Sequence, residues 1–310
     1  MLIIAGPTAS GKSAAAVEVA ERIGGEVVSA DSVQVYRYFD IGAAKPEPAL
    51  RARIPHHLID VADPDEEYTL ARYRREAEAA VADIDGRGKI PVVVGGTGLY
   101  LKALVEGLSG GVKVAPEAEA AMDAIVADGG NEALYAKAAV VDPTRAALVH
   151  PNDLFRVRRI VGVWMTTGKP LSAHLADEPK RPPRDVVYLW LAPPRQLVNA
   201  RIAARTESML MAGWRDEVRA ILGMGYNDRI KPLRSLGYKT IVAELNGEHP
   251  PEETPALIIK ETKAFAKRQV TWFRHIADAR PIPVAESDDA AAVAQRIVAD
   301  ERLARFPDRR

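Results

Sequence analysis

Residues 6–13 read Gly6-Pro7-Thr8-Ala9-Ser10-Gly11-Lys12-Ser13, which fits the phosphate-loop pattern G-x-x-x-x-G-K-[ST] without a mismatch. The flanks fit as well. Leu2-Ile3-Ile4-Ala5 is a short apolar run suited to a buried strand, and residues 13–23 (SAAAVEVAERI) carry an apolar stripe at helical spacing before Gly24-Gly25. Strand, glycine loop and helix in that order predict an anion site made of backbone N–H groups at a helix N-terminus. Lys12 adds a point charge for a terminal phosphate, and the Ser13 hydroxyl is a ligand for Mg²⁺. The motif identifies a bound polyphosphate and leaves open what happens to it.

Outward from this loop, strands and helices alternate. Residues 26–29 and 57–60 (HLID) read as strands, and 69–85 as a helix opened by a Thr69 cap. Residues 90–94 (IPVVV) read as a buried strand running into Gly95-Gly96-Thr97-Gly98, with a helix over 99–106. This predicts an α/β fold, a parallel sheet covered by helices with ligands at the carboxyl ends of its strands. The pattern changes at Ser109-Gly110-Gly111. Residues 116–174 read as consecutive helices, Lys180-Arg181-Pro182-Pro183 as an exposed break, and 186–191 (VVYLWL) as a strand again. The expected organisation is a P-loop core, residues 1–112 with 183–310, interrupted by an all-helical insertion domain over 113–182. Long helices are expected over 196–221 and 252–276, and a last helix over 290–304. Residues 281–284 (PIPV) suit an edge strand, where proline is tolerated.

The chain has 310 residues, 47% hydrophobic and 27% charged, ordinary for a soluble globular protein. It has no cysteine, which excludes disulfides, thiolate catalysis and Cys-ligated zinc and suits a reducing, cytoplasmic setting. No apolar run reaches the roughly 20 residues of a membrane span. The first strand begins at residue 2, so no signal peptide is expected. Lys+Arg and Asp+Glu are both 42, so any nucleic-acid role must rest on local patches. A monomer is the expected state.

Motor-type NTPases need a strand ending in Asp to hold Mg²⁺. The strand at 92–94 ends in glycines, and Asp60 is the only rival. Transfer chemistry on a bound polyphosphate is therefore favoured. Asp31 follows the second strand, in Ser29-Ala30-Asp31-Ser32-Val33-Gln34, and is placed to take a proton from an attacking nucleophile. It is equally suited to a cap or turn. The Gln34 amide suits the N6/N7 edge of adenine. Residues 260–274 (KETKAFAKRQVTWFR) hold five basic residues against one Glu. Lys260, Lys263, Lys267 and Arg274 fall near one helix side, with Phe265, Trp272 and Ile276 available for an apolar one. That face tracks phosphates or is simply solvated. Arg156, Arg158 and Arg159 form a second basic group.

Together these segments resemble the tRNA dimethylallyltransferases (tRNA isopentenyltransferases). The matching stretches are GPTASGKS at 6–13, SADSVQVYRYFDIGAAKP at 29–46, VVVGGTGLYLKALVEGL at 92–108 and HPNDLFRVRR at 150–159. They continue with TGKPLS at 167–172, SLGYKT at 235–240 and AKRQVTWFRH at 266–275, in the family's order. The resemblance implies transfer of a dimethylallyl group from dimethylallyl diphosphate to N6 of an adenine adjacent (3′) to a tRNA anticodon, with Mg²⁺. It implies that residues 6–13 hold the diphosphate, that Lys12 stabilises the leaving group, that Asp31 is the base and that Thr97 contacts the target nucleotide. Asp31, Ser32, Val33 and Gln34 would then read the adenine. The implied tRNA-contacting residues are Phe155, Arg156, Val157, Arg158 and Arg159, then Arg234, Gly237, Tyr238 and Lys239. Lys267, Arg268, Gln269, Thr271, Trp272 and Arg274 complete the set. Trp272 would stack on a base or serve as a core anchor. The chain departs from the family at Phe155, at Ile160-Val161-Gly162 and at 109–119.

Two other readings compete. A P-loop kinase of a small metabolite would use Asp31 on a hydroxyl and an arginine lid at Arg201 and Arg205. A non-catalytic RNA-binding module would carry a vestigial loop, which intact Lys12, Ser13, Asp31 and Thr97 oppose.

Overall fold

The computed structural model describes residues 1–107, 112–177 and 185–305. The breaks read at Ser109-Gly110-Gly111 and Lys180-Arg181-Pro182-Pro183 lie outside these residues. The chain divides into two compact units, Met1–Val105 with Pro183–Arg310, and Glu106–Pro182.

The larger unit begins with β1 (Leu2–Ala5), α1 (Lys12–Ile23), β2 (Gly25–Ser29), α2 (Pro48–Arg53) and β3 (His56–His57). It continues with α3 (Leu70–Gly86), β4 (Ile90–Gly95) and α4 (Gly98–Glu106). The smaller unit supplies α5 (Pro116–Val141), α6 (Pro143–Ala146), α7 (Leu154–Thr167) and α8 (Leu171–Asp177). The larger unit resumes with β5 (Val187–Ala192), α9 (Arg195–Met211), α10 (Trp214–Gly223) and α11 (Tyr238–Leu245). It closes with α12 (Thr254–Arg274), β6 (Arg280–Pro283) and α13 (Ala290–Val298).

The six strands form one parallel sheet in the order β3-β2-β4-β1-β5-β6. Side chains alternate across it, as a pleat requires. Leu2, Ile4, Val92, Val94 and Leu189 face one core, with Ala16 and Val19 of α1 and Ile297 of α13. Ile3, Ala5, Val28, Val93 and Trp190 face the other, with Tyr73 of α3, Leu104 of α4, Tyr238 of α11 and Phe273 of α12. Burial on both faces explains why these strands read as unbroken apolar runs. The proline strand β6 sits at the edge and pairs only with β5. The Thr69 cap forms, its hydroxyl accepting from the Arg72 N–H at 3.1 Å. At the start of β2, Glu26 is 1% exposed. Its carboxylate accepts from Arg87 at 2.5 and 2.8 Å and from Lys89 at 2.7 Å, with the His57 ring at 2.8 Å.

Three boundaries differ from the sequence reading. The strand expected over 57–60 is only His56–His57, because Leu58 (φ 63°) and Asp60 (φ 58°) turn left-handed and leave the sheet. The helix expected over 196–221 breaks at Gly213 (φ 97°) into α9 and α10. The last helix ends at Val298, followed by a 3₁₀ turn at Glu301–Arg305.

The smaller unit packs α5 against α7 around Met122, Leu134, Ala138, Val157, Ile160 and Val161. The α5 helix kinks at Gly130, where φ is 69°. Buried Asp142 ties its turns together, accepting from Arg145 N–H at 3.1 Å and Ser172 N–H at 2.7 Å. Among the described residues no helix is long and apolar enough to cross a membrane.

Candidate active site

The loops after β1, β2 and β4 lie side by side because β4 sits between the other two strands. They line a cavity of about 280 Å³ with Lys12, Ser13, Asp31, Thr97, Arg205 and Gln269 on its wall. The phosphate loop enters α1 through Gly11 in the left-handed region (φ 87°), with no side chain on the first-turn N–H groups. Lys12 donates to the Pro7 carbonyl at 3.3 Å. Burial lowers Lys12 to about 8; the Asp31 charge opposes this and Arg205 adds to it. Burial also lowers Arg205, again opposed by Asp31. Two half-buried cations against one carboxylate leave the cavity short of negative charge, the condition for binding a polyanion.

Asp31 holds a turn. Its Oδ1 accepts from Val33 N–H at 2.9 Å and Gln34 N–H at 3.2 Å, while Oδ2 takes no part in that turn. The turn reading of Asp31 therefore holds, and the same residue lines the cavity. Thr97 Oγ1 accepts from Ser32 N–H at 3.2 Å, tying this turn to the loop after β4. Gln34 differs from its sequence reading. Its Nε2 donates to the carbonyls of Ala43 and Ala44 at 3.2 and 3.1 Å, and its Oε1 accepts from the Ser29 hydroxyl at 3.2 Å. Its amide is engaged inside the protein rather than offered to an adenine edge.

The neighbouring loop, 40–44, is clamped from α10 and α11. Glu217 accepts from the N–H groups of Asp40, Ile41 and Gly42 at 2.8, 2.6 and 3.2 Å and from the Tyr238 hydroxyl at 2.6 Å. The Tyr238 oxygen accepts in turn from Ala43 N–H at 3.1 Å. Trp214 is held between Gly42 and Gly237, where any Cβ would overlap its ring. Gly237 and Tyr238 are thus buried structural residues, whereas Arg234 and Lys239 are exposed, Lys239 beside Glu261 at 2.8 Å.

The α12 helix also divides its residues. Lys267, Arg268, Thr271 and Arg274 are exposed. The buried side is Ile258, Ala266, Gln269 and Phe273. Of the apolar side expected at Phe265, Trp272 and Ile276, all half-buried, Trp272 and Ile276 pack against the core. Gln269 Nε2 donates to the Gly96 carbonyl at 2.8 Å, and its Oε1 accepts from Thr8 N–H at 2.8 Å. The Trp272 indole lies against Gly98, where a Cβ would overlap it, which is an anchoring position.

In the smaller unit, Phe155 is 84% exposed and Val157 is fully buried in the unit's core. Arg156 pairs with Asp153 at 3.1 Å, and Arg158 with Glu119 and Asp123 at 2.7 and 2.8 Å. Arg159 donates to the Val112 carbonyl at 2.5 Å.

Glu217 and Trp214 carried no sequence signal, because their partners lie far away in the chain. Arg205 was visible only as a lid arginine. Asp60, the rival for a Mg²⁺ carboxylate, is instead ion-paired with Lys45 and Arg51. Among the described residues no group of three His, Cys, Asp or Glu is arranged to hold a metal. The Ser13 hydroxyl on the cavity wall fits an ion held mostly by substrate phosphates and water.

Comparison with known proteins agrees with this geometry. The family model described as IPP transferase matches residues 34–276, and one described as isopentenyl transferase matches residues 1–53. A tRNA dimethylallyltransferase of Roseiflexus sp. (strain RS-1) is 43% identical over 289 residues, 93% of this chain and 94% of that one. The full-length tRNA isopentenylpyrophosphate transferase of Bacillus halodurans superposes with a TM-score of 0.71 at 32% identity, covering 98% of this chain and 97% of that one. A eukaryotic dimethylallyltransferase acting on tRNA superposes with a TM-score of 0.81 at 27% identity, covering 98% and 78%. The family model covers residues 34–276 and the relative is 43% identical over 93% of this chain: this chain belongs to the IPP transferase family, that of the tRNA dimethylallyltransferases.

Proposed function

We propose that this chain transfers a dimethylallyl group from dimethylallyl diphosphate to N6 of the adenine 3′ to a tRNA anticodon, releasing pyrophosphate. The observation that carries the proposal is the meeting of the phosphate loop, Asp31 and Thr97 on one cavity wall. The allylic C–O bond breaks as the N6–C bond forms. The electron pair leaves with pyrophosphate, whose charge meets the loop N–H groups, Lys12 and Arg205. The exocyclic amine is a weak nucleophile, and Asp31 Oδ2 accepts its proton while Oδ1 stays bound to the turn. Thr97, fixed by the Ser32 N–H, contacts the target nucleotide. An adenine reaching this cavity has left its stack. Ser13 would hold Mg²⁺ with the diphosphate oxygens, and the bound ion would neutralise part of the leaving-group charge.

The exposed basic residues Arg234, Lys239, Lys267, Arg268 and Arg274 support RNA backbone contact on the larger unit. In the helical insertion, exposed Phe155 and Arg156 are the stronger candidates for tRNA contact, because Arg156 has one carboxylate partner, Asp153, and a largely exposed side chain, whereas Arg158 is held by two carboxylates. A tRNA substrate makes the cytoplasm the expected compartment. Family membership leaves the metabolite-kinase reading without support.

The test is a donor competition. Purified protein, Mg²⁺ and unmodified tRNA are incubated with radiolabelled dimethylallyl diphosphate or γ-labelled ATP. Label passing from the prenyl diphosphate into tRNA supports the proposal. Unlabelled tRNA, with ATP losing its γ-phosphate only when metabolites are added, would replace it with the kinase reading.

A further inference from the structure

The basic segment of α12 resembles an RNA-contacting stretch, yet one of its residues faces the opposite way. Gln269 is 7% exposed, and both ends of its amide are engaged at 2.8 Å. The oxygen accepts from Thr8 in the phosphate loop, and the nitrogen donates to Gly96 in the loop that carries Thr97. One buried side chain therefore bridges the loop for the diphosphate and the loop for the nucleotide. Gly96 has no room for a Cβ, which would overlap Gln269 Nε2. The Thr8 N–H is committed to Gln269, so the anion must be held by the other loop donors. A buried amide keeps one geometry because losing either partner leaves a desolvated polar group.

We infer that Gln269 is a positioning residue for the transfer reaction and not an RNA contact. It sets the spacing between the diphosphate loop and Thr97, and hence between the allylic carbon and the incoming N6. This rests on the prenyl-transfer reading above. A displacement of about 1 Å between reacting groups can cost roughly 10²-fold in rate. The substitution Gln269→Met keeps the length of the side chain and removes both hydrogen bonds. Gly96→Ala disturbs the same bridge from the other side with Gln269 still present.

The experiment reads three quantities in wild type, Gln269→Met, Gly96→Ala and the double variant. These are kcat with both substrates saturating, Kd for tRNA, and hydrogen exchange of the Thr8 amide without ligand. The inference expects kcat to fall by about 10- to 10²-fold in each single variant, with tRNA Kd within about twofold of wild type. The double variant should be little slower than the worse single one, because both break one bridge. The Thr8 amide should exchange faster in Gln269→Met. Unchanged kcat with weakened tRNA binding would overturn the inference and return Gln269 to the RNA interface. So would multiplicative rate losses or unchanged Thr8 exchange. If wild type transfers no prenyl group, the function reading fails, and Thr8 exchange still decides the bridge. Should Gln269→Met fail to fold, Gly96→Ala alone decides through kcat against Kd.

Discussion

Asp31→Asn separates the two roles that share this side chain. Oδ1 accepts from Val33 and Gln34 N–H groups at 2.9 and 3.2 Å, and an Asn carbonyl oxygen keeps both bonds. Stability should therefore change by less than about 1 kcal/mol. The other oxygen becomes an NH₂ group that cannot accept the N6 proton. Loss of general-base assistance costs about 10²–10⁴ in turnover, or roughly 3–5 kcal/mol of barrier. Asp31→Ala loses the turn bonds as well, adding about 1–2 kcal/mol of destabilisation to a similar rate loss. The assay is single-turnover prenyl transfer with saturating tRNA and dimethylallyl diphosphate, beside thermal unfolding and tRNA binding of each variant. The account expects Asn to be folded, to bind tRNA and to react at least about 10²-fold slower than wild type. An Asn variant that reacts within a fewfold of wild type would remove Asp31 from the base role.

Lys12 gives a pH dependence. Burial holds it at about 8, so binding a diphosphate should raise it and take up a proton near that pH. Pyrophosphate affinity should fall as pH rises through about 8, with net proton uptake in calorimetry that Lys12→Arg abolishes; equal uptake in both proteins would place Lys12 away from the anion. Lys267→Ala with Arg268→Ala removes two exposed cations and should make the log–log salt dependence of tRNA binding shallower by about 1.5–2, a change that a merely solvated face would not produce. Glu26→Gln should destabilise the fold by about 2–3 kcal/mol at pH 7, moderated because its Arg87 and Lys89 partners are half exposed. Hydrogen bonding, above all from Arg87, depresses the Glu26 pKa below its ordinary 4.5, so its contribution is present above that value and lost as pH falls through the folded one. Denaturant melts should thus show the gap between wild type and variant closing in acid; a gap independent of pH would deny the ion cluster its role.

Much of this was legible in the chain. The apolar runs at 2–5 and 90–94 with their glycine-rich exits placed two of the cavity loops, because strands buried on two faces have a sequence signature that hardly varies. Local signals failed where tertiary contacts decide. The HLID run looks like a strand, but left-handed backbone at Leu58 and Asp60 ends it after His57. Gln269 stands in a basic run and reads as surface, and only the fold turns it onto Thr8 and Gly96. Gln34 reads as a base-recognising amide until its carbonyl partners at 43 and 44 are seen. Glu217 lies 175 to 177 residues from the N–H groups it holds, a distance over which no local pattern operates.

The central claim is that one cavity joins a diphosphate to an adenine amine. It is tested most directly by digesting tRNA treated with the protein and dimethylallyl diphosphate to nucleosides, with a second tRNA whose adenine 3′ to the anticodon is replaced by guanine. The account predicts N6-(dimethylallyl)adenosine from the first tRNA and none from the second, with one pyrophosphate released per modified base. A prenyl group on another atom or nucleotide, or pyrophosphate release without RNA modification, would contradict it.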